Sequence, residues 1–327
     1  MRILIAKDDQ TFIETTSLDA VRASLEDQDT LIWVDLYHDT SEESRQVMIE
    51  LFNFHPLSVD DALVEIHVPK IDNWGDYLYL SLIAVKFDQP LDDIDKAIEL
   101  DVFLGSNFLV TYHHENFPAV DVVWNQLLRN ENHPLRSSKL ILYQIIDQLA
   151  DEYMKMIDFL DMRIDQLEEP LIEKPNRKLL EEVFTIKRSL LNLRRIVVPQ
   201  SEVLNKLSRG DFEIIALHER MYFRDVYDHL ARVHEIIENL REIISSVLDI
   251  YLSVINNRLN STIKTLTIIT TLFMLLSLIN EFFGVNIFAA DNQLTRWSGE
   301  INLGLIIAVA FSLLLIMFLW MRRRDLM

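Results

Sequence analysis

Alternate steps of three and four residues from Asn260 reach Ile263, Thr267, Thr270, Met274, Ser277 and Glu281, and five of these seven positions are polar. On a helix such spacing draws a single stripe of amide, hydroxyl and carboxylate groups, interrupted only by Ile263 and Met274. The other faces of the same stretch are mostly Leu, Ile and Phe. Polar side chains are costly against lipid, so the stripe is expected to face other helices or water. A period near 3.5 suits either a seam between parallel helices or the wall of a central pore, and Glu281 favours the pore. One stripe cannot enclose a channel; several copies around an axis can, which implies a cyclic homo-oligomer.

Other chemistry finds little support. There is no Gly-x-Gly-x-x-Gly, no Walker A loop, no Gly-x-Ser-x-Gly and no His-Glu-x-x-His, and six glycines in 327 residues leave little for a phosphate cradle. The absence of cysteine removes thiolate chemistry and Cys-based zinc sites. Among nine histidines only His113 and His114 are adjacent, and at a strand end they read as surface residues. The carboxylates form no isolated pair in an identifiable cleft, so no enzyme is expected. With 51 acidic against 31 basic residues, the formal charge of −20 excludes nucleic acid as a partner and suits cations.

That charge coexists with a mean hydropathy above zero. The apolar residues are concentrated at the C-terminus. From Thr265 to Asn280 nothing is charged, Glu281 interrupts, and Phe282 to Ala290 is again uncharged; Ile301 to Met321 is uncharged throughout. About 20 apolar residues span a bilayer, so both segments are expected to be transmembrane helices. Four basic and four acidic residues lie beyond Lys264, which leaves the entire −20 on the preceding part. Arg258 and Lys264 precede the first span and Arg322, Arg323 and Arg324 follow the second, while the loop between carries only Arg296. The positive-inside bias puts both termini in the cytoplasm. The N-terminal apolar run is too short for a signal peptide.

All eight prolines lie at or before Pro199, and no Gly or Pro occurs from Asp211 to Phe283. Apolar residues at helical spacing, from Val226 through Leu230, Val233 and Ile237 to Val247, predict a long helix running into the first span. Upstream, Ser137 to Glu169 and Arg177 to Val198 are also predicted helices, with Pro170, Pro175 and Pro199 marking their ends. The first ~130 residues read as an α/β domain. Its predicted strands are Arg2 to Lys7, Thr30 to Tyr37, Tyr77 to Phe87, Ala97 to Leu104 and Asn107 to His113, and a helix over Ser41 to Phe54 opens with a Thr40/Glu43 capping box.

The segment from Asn260 to Phe273, followed by Phe283-Gly284-Val285-Asn286, resembles the pore helix and Gly-x-Asn signature of the CorA family of divalent-cation transporters. Tyr222-Phe-Arg-Asp-Val-Tyr-Asp-His229 adds to the likeness, which covers the length of the chain. It implies an α+β, largely α-helical membrane protein, a homopentameric funnel in the inner (plasma) membrane. The expected order is a cytoplasmic α/β domain (1–135), a long-helix bundle and stalk (136–264), a pore-lining span (265–285), an external loop beginning at the signature (286–300), a second span (301–321) and a basic tail (322–327).

By the same resemblance, Asn286 would ring the outer mouth and hold the hydration shell of Mg²⁺, which dehydrates reluctantly. Gly284 would let the backbone turn, Asn260 would form an inner polar ring, and Ile263 and Met274 would be apolar constrictions able to gate by dewetting. Cytoplasmic carboxylates binding regulatory Mg²⁺ would be Asp225 and, more loosely matched, Asp88; the alternative for Asp225 is a solvated carboxylate beside His229, one turn on. Four departures bear on the ion. Val285 stands where magnesium transporters have Met and is more like the zinc-transporting ZntB branch, Leu275 replaces a common Pro, and Asn280 and Glu281 replace small residues. Mg²⁺ with Co²⁺ or Ni²⁺ is the expected cargo, Zn²⁺ the alternative, and a membrane-anchored sensor without transport the contrasting class.

Overall fold

The computed structural model describes residues 1–7, 12–37, 40–64, 68–85, 97–129 and 137–284, with positions 304, 307–309, 311–312 and 315–316 further on. Asp88, Val285, Asn286, the external loop and the tail lie outside the described residues. The chain divides into two compact units, Met1–Leu248 and Asp249–Met327.

The first unit is built on a seven-stranded sheet of order β2-β1-β3-β7-β6-β5-β4. Its strands are β1 Arg2–Lys7, β2 Ile13–Thr15, β3 Thr30–Leu36, β4 Lys70–Asn73, β5 Leu78–Val85, β6 Ala97–Leu104 and β7 Phe108–Tyr112. Neighbours pair antiparallel except β3 and β7, which run parallel in the register Ile32↔Phe108 to Leu36↔Tyr112. Both faces are covered, so the central strands are continuous apolar runs without polar alternation. Ile32, Val34 and Leu36 point to one face, Trp33 and Asp35 to the other, and all five are buried.

Helices α1 Leu18–Leu25, α2 Ser41–Gln46 and α3 Pro56–Leu63 cover the first face. Thr40 and Glu43 form the expected capping box on α2. The helix expected to continue to Phe54 instead widens into a π-helical turn, Val47–Leu51, and stops at Asn53, whose φ of 54° is left-handed. Phe54 then enters the core and stacks on Phe103 with ring centroids 4.3 Å apart.

Helix α4 Pro118–Leu128, the start of one long helix and the later part of a second cover the second face. These are α5 Ser138–Glu173 and α6 Arg177–Arg209, capped by Ser137 and Asn176. They tie into the sheet where its edge would otherwise be bare. Strand β4 pairs β5 only over Leu78 to Ser81. Beyond that, the Ile83 N–H donates to Gln200 Oε1 at 3.1 Å and the Ile83 carbonyl accepts from the Tyr153 hydroxyl. Sheet and helices therefore share one compact unit.

Two expected helix ends are corrected. Pro170 and Pro199 lie inside α5 and α6. Pro170 falls in the last turn of α5. At Pro199 the missing N–H leaves the carbonyl of exposed Arg195 to water, while buried Val197, Gln200, Val203 and Leu204 hold the helix against the unit. Pro175 does separate the two helices, and α6 closes on Gly210 in the left-handed region, φ 86°.

The final helix, α7, runs from Arg220 to Gly284 without interruption. At ~1.5 Å per residue this is about 100 Å. It begins nine residues later than the breaker-free sequence allows, because Asp211 to Glu219 form turns fixed by buried Phe212 and Ile215. Glu219 pins these turns, accepting from Ser137 Oγ at 2.6 Å and from the Ala216 N–H at 2.9 Å.

Candidate functional site

In the second unit the last third of α7 is largely exposed, and it contains a stretch long and apolar enough to cross a membrane. Partial burial falls on Ile268, Leu272 and Leu275, three residues of one face. At 3.6 residues per turn, the stripe from Asn260 to Glu281 is centred about 140° around the helix from that face. Asn260, Ile263, Thr267, Thr270, Met274, Ser277 and Glu281 are all exposed, Ile263 by 51% and Met274 by 72%. The polar stripe is thus turned away from the only part of this stretch that the described residues cover.

The threonine hydroxyls bond to their own helix. Thr267 Oγ1 donates to the Ile263 carbonyl at 2.7 Å and Thr270 Oγ1 to the Leu266 carbonyl at 2.8 Å. Each hydroxyl hydrogen is therefore used, and what remains outward is oxygen lone pair, an acceptor suited to a cation or its water shell. The helix passes through Leu275 unbroken, as expected for a chain lacking Pro there, and Gly284 is its last residue.

Asp225 is exposed on α7 in the first unit. His229 does not turn to it; His229 Nδ1 lies 3.5 Å from Asp147 Oδ1 on α5. That contact, with Tyr143 of α5 against Tyr222 of α7 at 5.1 Å between ring centroids, makes α5 and α7 parallel neighbours. The result is a group of neighbouring carboxylates that sequence reasoning missed. Burial pushes the Asp147 carboxyl above its usual range, and the charges of Asp151 and Asp225 push the same way, against a smaller opposing pull from His229. The Tyr143 hydroxyl is raised by burial and by Asp147 and Asp225. Among the described residues, no group of three or more His, Asp or Glu side chains is placed to hold a metal ion. Asp147, Asp151 and Asp225 are mutually repelling carboxylates whose charge a nearby cation would relieve. The signal available in the sequence was an acid pair at helical spacing, Asp147 and Asp151, which any solvated helix carries.

His113 corrects an expectation. It is buried, not on the surface, with Nε2 3.1 Å from Asp35 Oδ1. Asp35 also accepts from Arg2 Nε at 2.8 Å and from Thr111 Oγ1 at 2.6 Å. Burial alone would raise the Asp35 carboxyl, but His113, Arg2 and Thr111 outweigh it and hold it below the usual carboxylate range. Every strong donor here is satisfied within the fold, so this network is structural.

Comparison with known proteins accounts for the same features. The family described as CorA-like Mg²⁺ transporter protein matches residues 28–323. The cobalt/magnesium transport protein CorA of Thermotoga maritima is 28% identical over 314 residues, covering 95% of this chain and 88% of that protein. The zinc transport protein ZntB of Yersinia enterocolitica is 23% identical over 221 residues, covering 67% of this chain and 66% of its own. The complete structure of the CorA magnesium transporter from Methanocaldococcus jannaschii superposes with a TM-score of 0.80 at 20% identity, over 98% of this chain and 97% of that one. That likeness gives the fold: a soluble N-terminal domain followed by a long helix, as in full-length CorA. The chain belongs to the CorA-like family.

Proposed function

We propose that the chain is one subunit of a homopentameric divalent-cation channel of the CorA kind, passing Mg²⁺ inward, with Co²⁺ or Ni²⁺ as further cargo. The observation that carries this reading is the position of the polar stripe, opposite the one partly covered face of the α7 membrane stretch. In a ring of five copies the covered face looks outward to the second span and the stripe looks to the axis. Both termini are cytoplasmic, and the second span meets lipid.

Each position then has a task. Asn286 presents amide oxygens to the hydrated ion at the outer mouth, next to Val285 and the turn at Gly284. Glu281 concentrates cations below it. Ser277, Thr270 and Thr267 offer acceptor oxygens along the wall, Met274 and Ile263 form constrictions that close by dewetting, and Asn260 rings the inner end. The membrane potential supplies about 2.3 kcal/mol per unit charge per 100 mV, so a divalent ion needs no ATP. Asp225 binds regulatory Mg²⁺ from the cytoplasm and holds the closed state, and Asp88 is a second regulatory carboxylate.

A Zn²⁺ transporter is the second reading, favoured by Val285 and by the match to a zinc transport protein. Ion flux into liposomes separates the readings. Mg²⁺ entry lowered at least tenfold by Asn286→Ala supports the first, and Zn²⁺ entry without Mg²⁺ entry supports the second. Entry of neither ion leaves a membrane-anchored sensor.

A further inference from the structure

In the first unit α5, α6 and the start of α7 pack as three helices around a common core. Tyr143 and Asp147 of α5 meet Tyr222 and His229 of α7, Arg163 of α5 meets Glu182 of α6, and Arg194 of α6 meets Glu238 of α7 at 2.6 Å. Each helix is left with one outward edge.

On α5 that edge is Asp151, Lys155, Asp158, Met162, Asp165 and Glu169, spaced four and three apart and all exposed. On α6 it is Arg177, Glu181, Phe184, Arg188, Arg195 and Val198, again all exposed. One edge is mainly acidic and the other mainly basic, and each has a half-exposed apolar residue, Met162 at 48% and Phe184 at 47%.

The two edges also agree in height. Levels along the antiparallel pair are fixed by Arg163 meeting Glu182, and by Tyr153 and Gln200 both reaching the backbone of Ile83. Near the Arg163–Glu182 contact this puts Met162 level with Phe184 and Asp158 close to Arg188; toward Ile83 the offset changes, and Asp151 is not level with Arg195. Among the described residues Asp158 and Arg188 form no ion pair within one chain, and Arg188 reaches Thr185 Oγ1 at 3.4 Å. Rotation about an axis parallel to these helices moves a residue sideways without changing its height. A neighbouring copy therefore offers Met162 and Asp158 of the α5 edge their complements, Phe184 and Arg188, on the α6 edge. One level is like-charged, Asp165 with Glu181, but Glu181 is already paired with Arg177 at 2.9 Å.

We infer that the outer edge of α5 in one subunit docks on the outer edge of α6 in the next, giving the ring a peripheral seam outside the pore. The inference rests on the ring of the proposed function. The two edges are different surfaces, so the contact is head-to-tail and closes only as a ring. Exposed ion pairs are individually weak, so the seam sets the height and order of neighbours instead of holding them together unaided.

The chain has no cysteine, so introduced thiols report directly. Full-length chains carrying Met162→Cys and Phe184→Cys, with different affinity tags, are co-expressed and treated with a mild oxidant in membrane vesicles. The expected product is a mixed-tag disulfide dimer, with none from either variant alone. Adding Asp158→Arg to the first chain should reduce the mixed dimer severalfold, and adding Arg188→Asp to the second should restore it. A Thr267→Cys chain serves as a separate reporter of the ring, since its thiols meet at the axis. Cross-linking at Thr267 without the mixed dimer overturns the seam alone; cross-linking at neither overturns the seam and the ring together. A mixed dimer indifferent to both charge reversals overturns the assigned pairing.

Discussion

Burial acts on two aspartates of the first unit with opposite net results. Asp35 is fully buried, yet its carboxyl is held low because His113, Arg2 and Thr111 surround it. Its ionised form stabilises the fold above the ordinary carboxylate range, and that contribution is lost only as pH falls through its own lowered value. Asp35→Ala leaves Arg2 and His113 facing an uncompensated cavity and should cost about 3–5 kcal/mol, read from urea unfolding of the purified protein. Asp147 is the reverse case, raised by burial and by Asp151 and Asp225. The folded state then binds protons more readily than the unfolded chain, so stability rises as pH falls from neutral towards the ordinary carboxylate value near ~4. Mg²⁺ bound there, as the proposed regulation requires, would supply the same relief at neutral pH. Asp147→Asn should therefore raise the melting temperature at pH 7 without Mg²⁺ and shrink the shift that added Mg²⁺ produces; a full-sized Mg²⁺ shift would show that the ion binds elsewhere. On the proposed function Glu281 faces the ion path, and Glu281→Gln should weaken uptake at low external cation while leaving uptake at saturating cation nearly unchanged.

At the scale of elements, the helix ends show what sets the architecture. Helix α6 stops because Gly210 adopts φ 86°, and a Cβ there would meet the Arg220 guanidinium at the start of α7. Gly210→Ala should cost about 1–2 kcal/mol from the left-handed backbone alone, measurable as a lower urea midpoint with an unchanged slope. The long apolar strands were legible in the sequence: Arg2–Lys7 and Ala97–Leu104 occupy the predicted spans. Strands Ile13–Thr15 and Lys70–Asn73 were not, because three or four residues at a sheet edge carry no apolar run to read. Pro170 and Pro199 misled because tertiary burial outweighs one lost backbone bond. The π-helical turn at Val47–Leu51 had no local signal either. At the candidate site the asymmetry is similar. The stripe from Asn260 to Glu281 was visible because polar residues in an apolar segment stand out. Asp147 was invisible because its partner Asp225 lies far along the chain and only the parallel packing of α5 and α7 brings them together.

At the scale of the whole molecule, the −20 charge and the apolar C-terminus belong to different parts of one chain. The acidic part gathers carboxylates that a cation would relieve, and the apolar part contributes a helix with one polar side. Family membership makes both parts those of a CorA-like divalent-cation transporter, and the function proposed above makes it a channel whose cargo is also its regulator. That account depends on five copies presenting Asn286 and the stripe to a common axis. The direct measurement is Mg²⁺ entry into liposomes containing the purified full-length protein, followed with an enclosed fluorescent indicator under an inside-negative potential. The account predicts potential-driven Mg²⁺ entry that Asn286→Ala lowers at least tenfold, while the oligomer keeps its size. Mg²⁺ entry that persists unchanged in Asn286→Ala, or no Mg²⁺ entry from intact oligomers, would contradict it.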